Sequence, residues 1–306
     1  MDRNRSAYLR ARAEIERVLE AEGLKEYAFI APSPEEESES VRSIVVVLFP
    51  YLAENYDPHA NLSRYCRGMD YHKVVPKYLN PAGEAAKAVL GECFSYQAWA
   101  DTGPFRDRLL ALRAGLGLIG RSQMLINKRY GTWFFIGYLT MNMPLHEMRA
   151  FYEPAKDDAA IPEKKSEEAY LQVSCLDCGR CRKACPGGVI KEDGTYDWPK
   201  CRSGITQEKG ELSPQELEIF YKDNLIFGCD LCQEVCPYNK NAEASTLPEF
   251  TQDRIDYLTL SDVEGLSRRE FLEKYPDRAF TWRGPKVLVR NLLLQEERRG
   301  NDTSKS

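Results

Sequence analysis

Between Cys175 and Cys236 the chain concentrates eight of its ten cysteines. Cys175, Cys178, Cys181 and Cys185 follow a C-x-x-C-x-x-C-x-x-x-C-P pattern closed by Pro186. In that pattern three thiolates on a short loop cap three corners of an iron-sulfur cubane, and the fourth points away to a neighbouring cluster. Cys229, Cys232 and Cys236, closed by Pro237, repeat its ending one cysteine short, and Cys201 is the nearby cysteine that fills the vacancy. Counting ligands puts Cys175, Cys178, Cys181 and Cys236 on one 4Fe-4S cluster and Cys185, Cys201, Cys229 and Cys232 on a second. Zinc fits less well, because its sites use paired C-x-x-C knuckles with one spacer and tolerate histidine. Disulfides need an exported chain. Here Met-Asp-Arg-Asn-Arg-Ser opens an amphipathic helix rather than an apolar signal region, so a cytoplasmic protein with reduced thiols is expected.

These cysteines need a scaffold, and 306 residues suffice for two domains. With 43% hydrophobic and 29% charged residues the composition is that of an ordinary globular protein. No apolar stretch approaches the roughly 20 residues that span a bilayer. A formal net charge of -5 gives no general pull toward nucleic acid, so any RNA contact needs a local basic patch. His59, His72 and His146 are the only histidines.

Apolar positions at helical spacing predict a helix over about 5–22, closed by Gly23. The continuous run Ile44-Val-Val-Val-Leu-Phe49, bounded by Pro50, reads as a strand buried on both faces of an α/β sheet. Helices are expected over about 81–90 and 105–114. Met124 to Ile126 and Thr132 to Thr140 read as a strand pair joined across Asn127 to Gly131. The expected organisation is an α/β (α+β) domain over 1–152, a charged linker over 153–170 and a ferredoxin-like two-cluster domain over 171–245. A helical segment over 246–294 and a disordered polar tail over 295–306 complete it.

Several blocks outside the cysteines stand in a definite order: Arg42-Ser-Ile-Val-Val-Val, Ser63-Arg-Tyr-Cys-Arg-Gly-Met-Asp70-Tyr-His72-Lys-Val, Asp101-Thr-Gly-Pro104 and Arg113-Ala-Gly-Leu-Gly-Leu-Ile-Gly120. Gly131-Thr-Trp-Phe-Phe-Ile-Gly137, Trp282-Arg-Gly and Val289-Arg-Asn-Leu come after them. Together with the cysteine runs they resemble the epoxyqueuosine reductase family, which uses cobalamin and two 4Fe-4S clusters to deoxygenate an epoxide on a tRNA wobble nucleoside. The chain departs from the family at Gly204-Ile-Thr-Gln-Glu208, where Tyr-Leu-Thr-Ile-Glu character is usual, and at Tyr138, where glutamate is usual. The family commonly continues into a helical-repeat domain that grips tRNA, whereas this sequence stops shortly after Asn291-Leu-Leu-Leu.

The resemblance implies that Asp101 is the proton donor, a role that calls for a carboxyl pKa raised by burial. Without it, Asp101 reads equally as the cap of a helix starting near Pro104. Gly115-x-Gly117-x-x-Gly120 formally matches a dinucleotide fingerprint, but its helix precedes and its strand comes after, the reverse of what that motif needs. Gly117 and Gly120 are instead expected in a tight turn whose bare backbone approaches the cofactor, or in a purely structural turn. Cys66, Asp70, Trp133 and Asp230 are further candidate cobalamin contacts, with Asp230 close to both cofactor and clusters. Cys93 reads as a small core residue and His72 as a hydrogen-bonded structural one. Asp57-Pro-His59 resembles a cobalt-ligating Asp-x-His motif without its glycine, and the resemblance implies cobalamin with no histidine ligand. Arg64, Arg67, Lys73, Lys128 and Arg129 could form an anion-binding rim.

The expected protein is a monomeric, non-membrane reductase. Electrons from a donor such as a flavodoxin or ferredoxin pass through the outer cluster to the inner one and then to cobalamin, with tRNA as substrate. Alternatives are a shortened relative acting on a small molecule and a two-cluster electron carrier.

Overall fold

The computed structural model describes residues 3–55, 57, 59–147 and 175–303. Helix α1 (Arg3–Ala21) leads through Gly23 into strands β1 (Tyr27–Ile30) and β2 (Ser43–Pro50). Helix α2 (Tyr71–Leu90), strand β3 (Tyr96–Ala100) and helix α3 (Asp107–Arg113) come next. The short strands β4 (Leu118–Ile119) and β5 (Leu125–Ile126) then precede β6 (Phe134–Met141). The main sheet runs β1-β2-β6-β3, and every pairing in it is antiparallel.

All eight residues of β2 are buried, as its apolar run requires. Val45, Val47 and Phe49 pack under α1 and α2, against Ile15, Leu19, Val75 and Leu79. Ile44, Val46 and Leu48 pack on the other face against Leu110 of α3 and Ile119 and Leu125 of the small hairpin. A run apolar on both faces therefore reports two covering layers, and here these cover an antiparallel sheet of α+β type.

Three local expectations are corrected. Helix α2 starts well before Pro81, because Asp70 caps it by accepting the His72 N–H at 3.0 Å. Leu125 and Ile126 pair with β4 and not with β6, because Asn127 turns the chain: its Oδ1 accepts from the N–H groups of Arg129 and Tyr130. The polar tail is helical, continuing a helix that begins at Pro285 as far as Thr303, with Gln295 buried and donating to the Asp223 carbonyl at 2.9 Å. The expected linker over 153–170 lies outside the described residues.

The cysteine region is built from short helices, α4 (Arg180–Ala184), α5 (Arg202–Ile205), α6 (Pro214–Phe220) and α7 (Leu231–Glu234). It is sewn to the sheet domain along residues 61–70. Leu62 bridges Phe227 in parallel, Ser63 N–H donates to the Phe227 carbonyl at 2.9 Å, and Ile226 N–H donates to the Asn61 carbonyl at 2.7 Å. Asp230, 2% exposed, accepts from Ser63 Oγ at 2.5 Å and from Arg64 N–H at 2.8 Å. The C-terminal segment joins the same seam, with Leu258, Phe271, Phe280 and Leu288 sharing a core with Leu62, Cys66 and Phe227.

Gly228 lies at the tightest point of this seam. Its φ is +79°, and a Cβ there would stand 2.4 Å from the Ser63 Cβ. Gly188 has a φ of +57° with open space around it. Gly228→Ala is expected to cost roughly 2–5 kcal/mol, combining left-handed strain with overpacking. Gly188→Ala should cost about 1–2 kcal/mol. Denaturant midpoints of the two variants check the difference, and equal midpoints would contradict the packing argument.

Candidate active site

The fold gathers the eight cysteines into two groups. Burial raises the pKa of the Cys181 thiol, and the neighbouring Cys175, Cys178 and Cys236 sulfurs raise it further. The same four line one small cavity with Pro237. Cys232 is raised by burial and then by Cys229, Cys201 and Cys185, while the Tyr196 hydroxyl donates to the Cys201 sulfur at 3.4 Å. None of the ten cysteines is in a disulfide. Within each group the sulfurs lie close enough to share one another's field. In the first group Cys178 is exposed and Leu176 is 68% exposed, and Gly120 and Ile126 of the small hairpin border its cavity; the four cysteines of the second group are all half-buried.

A cavity of about 660 Å³ opens in the sheet domain. Tyr65, Tyr71, Phe105, Phe134, Phe135 and Leu125 give it aromatic and apolar walls. This volume is in the usual range for cofactor sites, which combine apolar walls with a few polar groups. Thr132, also in the lining, donates to Gln233 Oε1 at 2.9 Å, so one hydrogen bond separates the wall from the residue next to Cys232. Asn239 continues the link, accepting from Thr132 N–H at 2.7 Å and donating to the Gln233 carbonyl at 2.7 Å.

Asp101 and Asp107 are the carboxylates of this cavity. Asp101 has a left-handed backbone, φ +58°, and its N–H donates to Asp107 Oδ2 at 2.9 Å. It does not cap α3, whose N-cap is Arg106. Its side chain is 65% exposed, with Oδ2 lying 3.6 Å from His72 Nε2 and accepting from the Tyr71 hydroxyl at 3.1 Å. These contacts, His72 foremost, hold the Asp101 carboxyl below its ordinary range, contrary to the elevation expected for a buried donor. His72 gains in return, pushed up to about 9 by Asp101 and by Asp70, whose Oδ1 is 2.8 Å from Nδ1. The elevated carboxyl is Asp107, pushed up to about 6 by burial, with its Oδ1 buried and unpartnered.

The loop carrying Asp101 rests on Tyr138, fully buried, whose hydroxyl accepts from Phe105 N–H at 3.2 Å. A Cβ on Gly103 would stand 2.0 Å from that hydroxyl. Sequence reading noted Tyr138 only as a departure and missed Asp107, Tyr71 and Gln233. Tyr71 was within reach, since it sits inside the Asp70-Tyr-His72 block.

Other candidates fall elsewhere. Cys66 is completely buried in the seam core, its thiol donating to the Ser63 carbonyl at 3.1 Å, and has no surface to offer a ligand. Cys93, expected in the core, is exposed. Trp133 is 3% exposed beneath the Arg64 guanidinium, and Phe134 and Phe135 line the cavity in its place. Asp70 serves as a helix cap, and Asp230 as the seam clamp. The bare faces of Gly117 and Gly120 are turned to their own hairpin, where a Cβ would meet the Ile126 carbonyl oxygen at 2.5 Å and the Ile126 Cδ1 at 2.7 Å. The basic rim is not assembled: Arg67 is buried on the Leu62 carbonyl, Arg129 pairs with Glu26 and Glu243, and Lys73 pairs with Asp277.

Residues 174–239 match the family model of a 4Fe-4S double cluster binding domain. Fold and site thus define a double-cluster iron-sulfur protein whose second cysteine group lies beside a cofactor-sized cavity. Residues 32–102 match the model described as Epoxyqueuosine reductase QueG, DUF1730. The chain belongs to the epoxyqueuosine reductase family.

It is 33% identical over 237 residues to the epoxyqueuosine reductase of Lactococcus garvieae, covering 76% of this chain and 60% of that one. With the Bacillus subtilis (strain 168) enzyme it shares 30% over 262 residues, covering 83% and 62%. The chain therefore spans about 60% of the length of these curated relatives. Among solved structures, epoxyqueuosine reductase from Streptococcus thermophilus superposes with a TM-score of 0.69 at 24% identity, over 92% of this chain and 80% of that one. An epoxyqueuosine reductase bound to an epoxyqueuosine-modified tRNA-Tyr stem loop gives 0.74, at the same identity and coverage. Among the described residues no helix is long and apolar enough to cross a membrane.

The Asp70-His72-Asp101 cluster makes a titration prediction. A histidine raised above its unfolded value of about 6.5 contributes stability fully below that pH and loses it as pH rises through the folded value. His72 should therefore titrate near 9 by NMR, and the stability difference between the native protein and His72→Gln should shrink between about pH 6.5 and 9. In Asp101→Asn the His72 value should fall. A His72 value near 6.5 in the native protein would contradict the cluster.

Proposed function

We propose that this protein is a cobalamin-dependent reductase that converts epoxyqueuosine to queuosine in tRNA. Each cysteine quartet would ligate one 4Fe-4S cluster, and cobalamin would occupy the aromatic cavity. The observation that carries this reading is the single hydrogen bond joining the cavity wall at Thr132 to Gln233, next to Cys232. Electron delivery and cofactor chemistry need that adjacency. The aromatic walls suit a large flat ring, and the donor set of each quartet suits iron. When bound, cobalamin supplies a low-valent metal centre able to cleave a carbon-oxygen bond reductively, and the clusters supply single electrons.

The chain's own residues govern the protons. Removing an epoxide oxygen as water consumes a pair of protons along with a pair of electrons. The cavity holds two stores. His72 keeps a proton at neutral pH and shares it with Asp101 at the rim, while Asp107 keeps one in mildly acidic solution. Asp101, ionised on an exposed loop, passes the proton from His72 to the opening oxygen. Tyr71, stacked on Phe135 at 4.2 Å, aims the Asp101 carboxylate, and Tyr138 supports the loop from below. His72 and the carboxyl of Asp107 thereby hold protons at the mouth of the cavity, and Asp101, oriented by Tyr71, relays one of them.

The test is anaerobic turnover of a tRNA stem loop carrying epoxyqueuosine, with a chemical reductant and added cobalamin. Queuosine should form, and Asp101→Asn should lower the rate roughly a hundredfold or more with clusters and cobalamin still bound. Turnover unaffected by Asp101→Asn would refute the proton role. Intact clusters and bound cobalamin without any conversion of the stem loop would refute the substrate.

A further inference from the structure

Arg202 comes directly after Cys201 and is the bulkiest fully buried side chain among the described residues, 1% exposed. Its guanidinium is held by uncharged acceptors. Nε and Nη2 donate to the Phe220 carbonyl at 3.1 and 3.0 Å, and Nη1 donates to the Gly228 carbonyl at 3.1 Å. Nη2 also donates to the carbonyls of Asp223 at 2.9 Å and Leu225 at 2.7 Å. Among the described residues Arg202 forms no salt bridge. Asp223 contributes its backbone carbonyl, and its carboxylate turns back to accept the Leu225 N–H at 3.1 Å. A buried cation to which no carboxylate is directly bonded keeps an unneutralised charge that favours further negative charge nearby.

Its bond to the Gly228 carbonyl sets the cation beside Cys229, and it adjoins Cys201 in the chain. The Asp223 carboxylate and the Cys229 sulfur favour its charge, and Arg298 opposes it. Cys229 and the adjoining Cys201 both belong to the second quartet. The first quartet has a different neighbour, Arg121, which is already paired with the exposed Asp177. The Arg121 side chain is 16% exposed, and the Asp177 carboxylate at its Nε neutralises its charge.

We propose that Arg202 is the fixed counter-charge of the second cluster and raises that cluster's reduction potential. This rests on the two-cluster reading above. A low-potential one-electron donor adds an electron to the cluster, no bond forms or breaks, and the added negative charge is stabilised by the buried guanidinium in a medium of low dielectric. The first cluster lacks such a buried cation among the described residues, so the loss of Arg202 acts on one cluster alone. The hydrogen bonds to residues 220–228 do the separate, structural work of holding the loop that presents Cys229.

The experiment is an anaerobic dithionite titration of the full, cluster-loaded chain, monitored by electron paramagnetic resonance. Arg202→Gln should lower the reduction equilibrium constant of one cluster at least tenfold, which is about 59 mV for a one-electron couple. The other cluster should not move. Arg202→Lys, which keeps the charge, should stay within a few-fold of the native protein. Two loaded clusters with both potentials unmoved in Arg202→Gln would overturn the inference, as would a Lys variant displaced as far as the Gln variant. Should neither variant load two clusters, protein labelled only at the arginine guanidinium nitrogens decides: pulsed resonance should find nitrogen coupling to a reduced cluster that persists in Arg121→Lys, and its absence from both clusters in that variant overturns the proposal. A native protein that holds fewer than two clusters refutes the two-cluster reading itself.

Discussion

The buried carboxylate of Asp230 holds the two halves of this protein together. A carboxylate removed from water is costly unless its oxygens are hydrogen-bonded, and here one oxygen takes the Ser63 hydroxyl and the other the Arg64 N–H. Asp230 lies between Cys229 and Cys232 in sequence, and Ser63 lies a few residues before Tyr65 and Tyr71 of the cavity wall. One clamp thus ties two ligand positions of the second quartet to two walls of the cavity. The parallel bridge of Leu62 to Phe227 and the bare α-carbon of Gly228 against Ser63 bring the segments close enough for it to form.

That constraint divides the molecule into rigid and adjustable parts. The sheet, covered on both faces by helices and hairpin, supplies a fixed floor, and the Gln233-Thr132-Asn239 network locks the second quartet to it. In the proposed reaction the carboxyls that carry protons, Asp101 and Asp107, line the same cavity as Thr132. Asp101 is exposed on a left-handed turn, and side chains from α2 and the Tyr138 hydroxyl restrain its loop. Electron delivery needs short, invariant distances, and a rigid seam provides them. Proton delivery to a bulky substrate needs access, which a rim loop provides.

Much of this was legible in the sequence because it is local. The spacing of Cys175, Cys178, Cys181 and Cys185 encodes a loop geometry, and the run Ile44 to Phe49 encodes burial on both faces. The run could not encode strand direction, since any two apolar covers satisfy it, so the antiparallel sheet came from the structure. The strand pairing of Leu125 was misread because the Asn127 side chain stops the turn before β6 begins. Charge was the least legible property. Arg67 and Arg129 look like surface cations in one dimension, yet tertiary contacts bury the first and pair the second. Likewise, Asp101 carries no sign in its own block that His72, brought in by α2, will keep it ionised, or that Asp107 will be the elevated carboxyl.

The central claim is that the second cluster and the cavity's cofactor are neighbours across the seam. It is tested most directly by adding one equivalent of cobalamin to the cluster-loaded protein without oxygen and recording the paramagnetic resonance of the bound Co(II) form with the clusters reduced. The account predicts stoichiometric binding, a cobalt signal without nitrogen splitting, and spin coupling of the cobalt to one of the two clusters. Cobalamin that fails to bind a protein holding both clusters, or that binds with neither cluster signal perturbed, would contradict it.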